Sequence, residues 1–169
     1  MNVLVAVASR HHSTYEIGGR LARALEGAGL TVDLRRPEEV VALGGYDAVV
    51  LGSGVYAGRW LPAATQLADR LADELRERPV WLFSSGPVGE AAAPAGDLSA
   101  VAGILANIDA RGHRVFAGRL EPAELKLGEK LVLKVVRAKT GDYRDWTAIE
   151  AWAREIAAEL GEPAAVALG

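Results

Sequence analysis

Short apolar, β-branched runs alternate along this chain with longer stretches whose apolar positions recur every three or four residues. Val3-Leu4-Val5-Ala6-Val7-Ala8 is continuous and apolar, the pattern of a strand buried on both faces of a parallel sheet. Tyr15 to Ala28 has helical spacing in Ile17, Leu21, Ala24, Leu25 and Ala28, and Gly27 and Gly29 supply a stop. Thr31 to Arg35 alternates and reads as a strand at a sheet edge, and Ala48 to Gly52 is a second buried strand introduced by Gly44-Gly45-Tyr46-Asp47. Leu61 to Leu75 predicts one long helix with Pro62 in its first turn, where a missing N–H costs little. Pro79 to Ser84 is a third buried strand, Pro87 to Pro94 a loop, Leu98 to Ile108 a helix, and His113 to Gly118 the last strand. A final helix is expected from Asp145 to Leu160, and the small apolar tail after Gly161 is expected to fray.

Strands alternating with helices predict an α/β fold with a doubly wound, five-stranded parallel sheet. The common order for such a sheet is 2-1-3-4-5, which puts a ligand crevice at the C-terminal ends of strands 1, 3 and 4. The 169 residues read as a single domain, 1–169, with no internal repeat or linker. At 50% hydrophobic and 24% charged residues the composition is that of a globular protein rather than a disordered one. The absence of cysteine removes disulfides, iron–sulfur clusters and thiol nucleophiles together. No apolar run is long enough for a membrane helix and no basic leader precedes Val3, so a soluble, cytoplasmic protein is expected. A net charge of −3 argues against a dedicated nucleic-acid binder.

The strand ends carry the candidate chemistry. Strand 1 runs into a helix through Ser9, Arg10, His11, His12, Ser13 and Thr14. Hydroxyls beside a helix N-terminus make a cradle for a phosphate dianion, although Ser and Thr there also serve as plain N-caps. Neither Gly-Lys-Ser/Thr nor Gly-x-Gly-x-x-Gly occurs, so the loop is not a Walker or dinucleotide motif. Strand 3 opens into Ser53, Gly54, Val55, Tyr56, Ala57, Gly58, Arg59 and Trp60, and strand 4 into Ser84, Ser85, Gly86, Pro87, Val88 and Gly89. Glycines let the backbone approach a flat ligand, and Tyr56 or Trp60 is placed to stack on an aromatic ring. The first and third strands end without the acidic residues of a phosphoacceptor, Gly-x-Ser-x-Gly is absent, and three scattered histidines make a poor metal set.

These segments resemble the flavodoxin-like family over nearly the whole chain. The run from Val3 to Thr14 looks like the loop that binds the phosphate of flavin mononucleotide (FMN). Leu51 to Trp60 looks like the isoalloxazine loop of a subgroup that includes menaquinone-dependent protoporphyrinogen oxidase, and Phe83 to Pro87 and Gly141 to Trp146 fit that subgroup too. The resemblance implies an FMN-dependent oxidoreductase that takes electrons from a porphyrinogen-like donor and passes them to a quinone. The alternatives are an electron carrier with no substrate of its own and a flavin-free scaffold. The second alternative arises because His12 stands where the family loop has glycine; a positive φ there would strain it. Arg10 and Arg59 flank the ring loops where carriers usually have acids, and attraction to a reduced, anionic ring favours two-electron chemistry.

Charge is unevenly spread. Between Arg111 and Arg144 there are nine Lys/Arg against four Asp/Glu. The connection at about 121–141 reads as a basic helical insertion in which Lys126, Lys130 and Lys134 share one face, beside apolar faces of Leu and Val. Such an element is expected to give weak, salt-sensitive contact with an anionic membrane surface, where a quinone acceptor would lie.

Overall fold

The computed structural model describes residues 1–86, 99–120 and 141–161. The loop expected at Pro87–Pro94, with Pro87, Val88 and Gly89, lies outside them, as do Lys126, Lys130, Lys134 and the tail after Gly161.

Five parallel strands make the sheet: β1 (Asn2–Ala8), β2 (Thr31–Arg35), β3 (Ala48–Tyr56), β5 (Val80–Ser85) and β6 (Gly112–Phe116), in the order β2-β1-β3-β5-β6. A two-residue strand, β4 (Arg59–Trp60), folds back antiparallel on β3, so the order is the expected doubly wound one with a hairpin added. Strand residues alternate between two apolar layers. Leu4, Ala6, Val49, Leu51, Val80 and Leu82 face α2 (Pro62–Arg70), α3 (Ala72–Arg76) and α4 (Ser99–Asn107). Val3, Val5, Val7, Val50, Trp81 and Phe83 face α1 (Ser13–Gly27) and α5 (Trp146–Gly161). This two-sided burial is why the strands are apolar throughout rather than alternating.

Helix α1 buries Ile17, Leu21 and Leu25 at helical spacing and ends where Gly29 takes φ 89. There the Leu30 N–H reaches back to the Leu25 carbonyl at 3.2 Å, closing the helix in the usual left-handed way. The helix expected over Leu61 to Leu75 is two helices. Leu71 leaves helical geometry at φ −110, ψ 23, yet Leu67, Leu71 and Leu75 all stay buried, so the apolar period runs through the break. A short antiparallel ribbon, β7 (Arg119–Leu120) with β8 (Gly141–Asp142), stands beside the sheet. No helix among the described residues is long and apolar enough to cross a membrane.

Candidate functional site at the C-terminal edge of the sheet

The chain passes from β1 to α1 in a tight turn closed by the Ser13 N–H donating to the His11 carbonyl at 2.6 Å. His12 sits at φ 57, ψ −22, in the left-handed region, and no side chain caps the first turn of α1. The serine and threonine hydroxyls here are therefore not helix caps. A non-glycine residue in this conformation costs roughly 1–2 kcal/mol. Replacing exposed His12 by glycine is accordingly expected to raise stability by about 1 kcal/mol, read as a higher urea midpoint at unchanged slope. A lower midpoint would mean that the imidazole makes an interaction worth more than the strain.

The hydroxyls point in different directions. Ser9 Oγ is buried and has no hydrogen-bond partner. Ser13 Oγ accepts the Arg119 N–H at 3.0 Å, which ties β7 to the start of α1. Thr14 is buried against β3 so closely that a Cβ on Gly54 would stand 3.0 Å from Thr14 Oγ1 and 3.0 Å from the Tyr56 ring. Glycine at 54 is what lets the strand, the helix start and the ring meet.

The segment expected to be a loop over Ser53 to Trp60 is a β-hairpin. Strand β3 continues to Tyr56, and the chain reverses at Ala57 (φ 49) and Gly58 (φ 76). Two positive φ values in a two-residue connection are the turn that matches the twist of paired strands. Ser53 is fully buried and fastens the hairpin base: its Oγ donates to the Gly54 carbonyl and accepts the Leu61 N–H, both at 2.9 Å. Val55 and Tyr56 are half-buried, and Ala57 and Arg59 are exposed at the tip.

Trp60 corrects one expectation. Its indole is 4% exposed and its Nε1–H donates to Ser84 Oγ at 2.7 Å, so it cannot stack on a ligand. A buried indole N–H needs an acceptor, and Ser84 supplies it from the neighbouring strand. Tyr56 is the aromatic residue at the crevice. The Arg10 guanidinium lies 4.6 Å from its ring centroid, and the His11 ring is 6.1 Å away. Ser84 and Ser85 are buried at the end of β5, and Gly86 takes φ 104 with its N–H donated to the Phe116 carbonyl at 3.1 Å. The crevice expected from topology thus brings together residues 9–14, the 53–60 hairpin and residues 84–86.

A charged cluster behind the β1–α1 turn draws on the Gly141 to Trp146 run, whose partners on α1 had no local signal in the sequence. The Arg144 side chain is 3% exposed and bridges Glu16 of α1 and Asp142 of β8. It also stacks 4.4 Å above Trp146 and reaches the Ser13 carbonyl at 3.4 Å. Arg119 joins Glu16 at 3.5 Å. Hydrogen bonds from Arg144 hold the Asp142 carboxyl below its ordinary 3.8, and the same pairing raises the guanidinium. Ion pairs to residues more than 100 positions away in sequence leave no trace in periodicity.

Comparison with known proteins places this geometry. A family model described as a flavodoxin domain matches residues 4–147. Among solved structures, an archaeal flavodoxin superposes with a TM-score of 0.66 at 15% identity, covering 96% of this chain and 100% of that one. A cysteine-to-serine mutant of the Pseudomonas aeruginosa flavodoxin gives 0.62 at 15% identity, with 96% and 100% covered. The rubredoxin oxygen oxidoreductase of Desulfovibrio gigas gives 0.57 at 17% identity, with 95% of this chain and 37% of that one covered. No curated protein matches.

Proposed function

Because the chain belongs to the flavodoxin domain family, whose members as a rule bind FMN, we propose that it binds FMN non-covalently and works in electron transfer. The observation that carries this reading is the buried, unpartnered Ser9 hydroxyl at the end of β1, beside an uncapped helix start. An orphaned buried hydroxyl is costly unless something accepts from it, and a phosphate oxygen fits that demand. The residues present fit the group. Ser9, Ser13, Thr14 and the first-turn N–H groups of α1 would hold the phosphate, with Arg10, His11 and His12 around them. Tyr56, the Ala57–Arg59 tip and Ser85–Gly86 would flank the ring, while Ser53, Trp60 and Ser84 hold those loops in place from beneath.

FMN, once bound, supplies one- and two-electron chemistry at its ring. The chain's own part is to fix the ring's position, limit water at the crevice and set the field around it. Arg10 and Arg59 bring positive charge to the two rims, which favours negative charge on a reduced ligand. A porphyrinogen-like donor and a quinone acceptor form the finer part of the proposal, and with them the membrane contact through Lys126, Lys130 and Lys134. That part rests on the resemblance of Leu51 to Trp60 and on the basic stripe alone; neither the family match nor the structures named above supports it.

The test is fluorescence titration of FMN with the purified chain. Saturable quenching at micromolar protein is expected, with weaker binding after Ser9→Ala. Absence of quenching in the native chain together with quenching in His12→Gly would select the flavin-free scaffold, with His12 as the block. Absence in both would overturn the FMN reading.

A further inference from the structure

One polar chain, buried at Trp60 and Ser84 and half-buried at His113, lies beneath the two loops assigned to the ring. Trp60 ends the hairpin, Ser84 is the next-to-last residue of β5, and His113 lies on the edge strand β6. The Trp60 Nε1–H donates to Ser84 Oγ at 2.7 Å, and Ser84 Oγ lies 2.8 Å from His113 Nε2. The Trp60 and His113 rings are 6.5 Å apart and tilted, so all three groups share one side of the sheet. Ser84 is fully buried.

The proton inventory of this chain is restrictive. A serine hydroxyl has one hydrogen to give. Having accepted from Trp60, Ser84 donates to Nε2 of a neutral imidazole, and all three groups are satisfied. If His113 gains a proton, Nε2 becomes a donor aimed at the same oxygen. Ser84 then receives two N–H groups, and its own hydrogen must leave its acceptor inside an apolar layer. Leaving a buried hydroxyl unsatisfied is among the more expensive local changes a fold can suffer.

We propose that Trp60, Ser84 and His113 form a relay that fixes the hairpin against β5, so that the proton on His113 controls how tightly the crevice holds FMN. Ser84 and His113 are positioning residues: they act through the loops and do not touch the ligand. The proposal rests on the FMN reading above and adds its regulation.

Among the described residues, no counter-ion is paired with His113 to rescue the protonated form. Strand β5 has no ionisable residue, and neither does α4. On β4, Arg59 alternates with Trp60 and is exposed at the hairpin tip. On β6, Arg114 projects to the opposite layer, where it pairs with Glu155 at 2.7 Å. Arg111, before β6, lies over the Trp81 ring, and Arg76 of α3 is bound to Asn107 at the far end of α4. On α2, Asp69 and Arg70 are exposed. Burial accordingly pushes His113 below its ordinary 6.5. The sign follows: an imidazole harder to protonate when folded leaves the relay intact at neutral pH and opposes folding as pH falls below about 6.5.

His11 and His12 lie at the phosphate end of the crevice and are common to both proteins compared, native and His113→Gln. Glutamine places a permanent acceptor near the Nε2 position. FMN affinity should be similar in the two proteins at about pH 8, and the native protein should weaken about tenfold relative to His113→Gln by about pH 5, the size of one lost buried hydrogen bond. Independently of FMN, the chain has four tryptophans, hence four indole N–H resonances, and Trp60→Phe identifies the one belonging to Trp60. That resonance should move with the His113 titration in the native protein and stay fixed in His113→Gln. A Trp60 resonance that ignores the His113 titration, or an affinity ratio constant across pH, overturns the relay. If the native chain binds no FMN at pH 8, the cofactor reading fails; the indole titration then decides the relay alone, a coupled shift supporting it and a flat one rejecting it.

Discussion

Gly52→Ala should cost the protein about 3 kcal/mol or more, enough to abolish folding in a marginally stable domain. A Cβ at this position would stand 2.1 Å from two atoms of the Phe83 ring, far inside van der Waals contact. Phe83 has nowhere to go. It is fully buried and packs 6.0 Å from Phe116 and 6.3 Å from Trp152, which themselves meet at 5.6 Å. Nor can the backbone retreat, because Gly52 pairs with Val7 on one side and Phe83 on the other in the centre of the sheet. Urea unfolding followed by far-UV circular dichroism measures the loss. The double variant Gly52→Ala, Phe83→Leu should recover part of it, because the smaller side chain makes room for the methyl. A Gly52→Ala protein with the native midpoint would show that the ring has space, and the packing account would fail.

Arg144→Met comes next in size, at about 2 kcal/mol near neutral pH. Breaking a buried ion pair costs roughly 3–5 kcal/mol, but Glu16 and Asp142 are each 43% exposed, so water screens part of the penalty. The loss should depend on pH with a definite sign. Asp142 is held below 3.8 by Arg144, so its contribution is complete above about pH 4 and disappears as pH falls through its lowered folded value. The native and Arg144→Met proteins should therefore differ by a constant amount from pH 7 to about pH 4 and converge in stronger acid. Thermal melts across that range give the comparison. A gap that persists undiminished in strong acid would assign the effect to the arginine's packing on Trp146 instead of to its charge.

Most of the scaffold could be read from the chain itself, because its strands and helices carry local periodic signals. Val3 to Ala8, Ala48 to Gly52 and Val80 to Phe83 are apolar at every position, and the structure buries them on both faces. The left-handed turn at His12 was anticipated by the glycine that the resembling family has there, and the backbone bears this out. What stayed hidden depends on partners distant in sequence. The kink at Leu71 is invisible because the apolar period continues through it. Trp60 looked like a ligand platform because nothing near it in sequence reveals an acceptor on β5. Gly52, read as the end of a buried strand, is the place where a phenyl ring passes. Arg144, inside the Gly141 to Trp146 run of the resemblance, and His113 gave no sign of their partners, and only the fold puts them beside Ser13 and Ser84.

The β7–β8 ribbon has a consequence for how this protein could diversify. Leu120 and Gly141 are paired across it, and Arg119 is opposite Asp142, so the two ends of the connection between them are held side by side. For a segment whose two ends are already clamped together, length is nearly neutral: doubling it adds only about 0.6 kcal/mol of closure entropy. Insertions, deletions or whole exchanged modules at this junction can accumulate without disturbing the sheet order or the core. The junction also adjoins the crevice, since Arg119 is bonded to Ser13. Relatives could thus change what the domain meets while leaving the cradle untouched, as a tool handle accepts different heads.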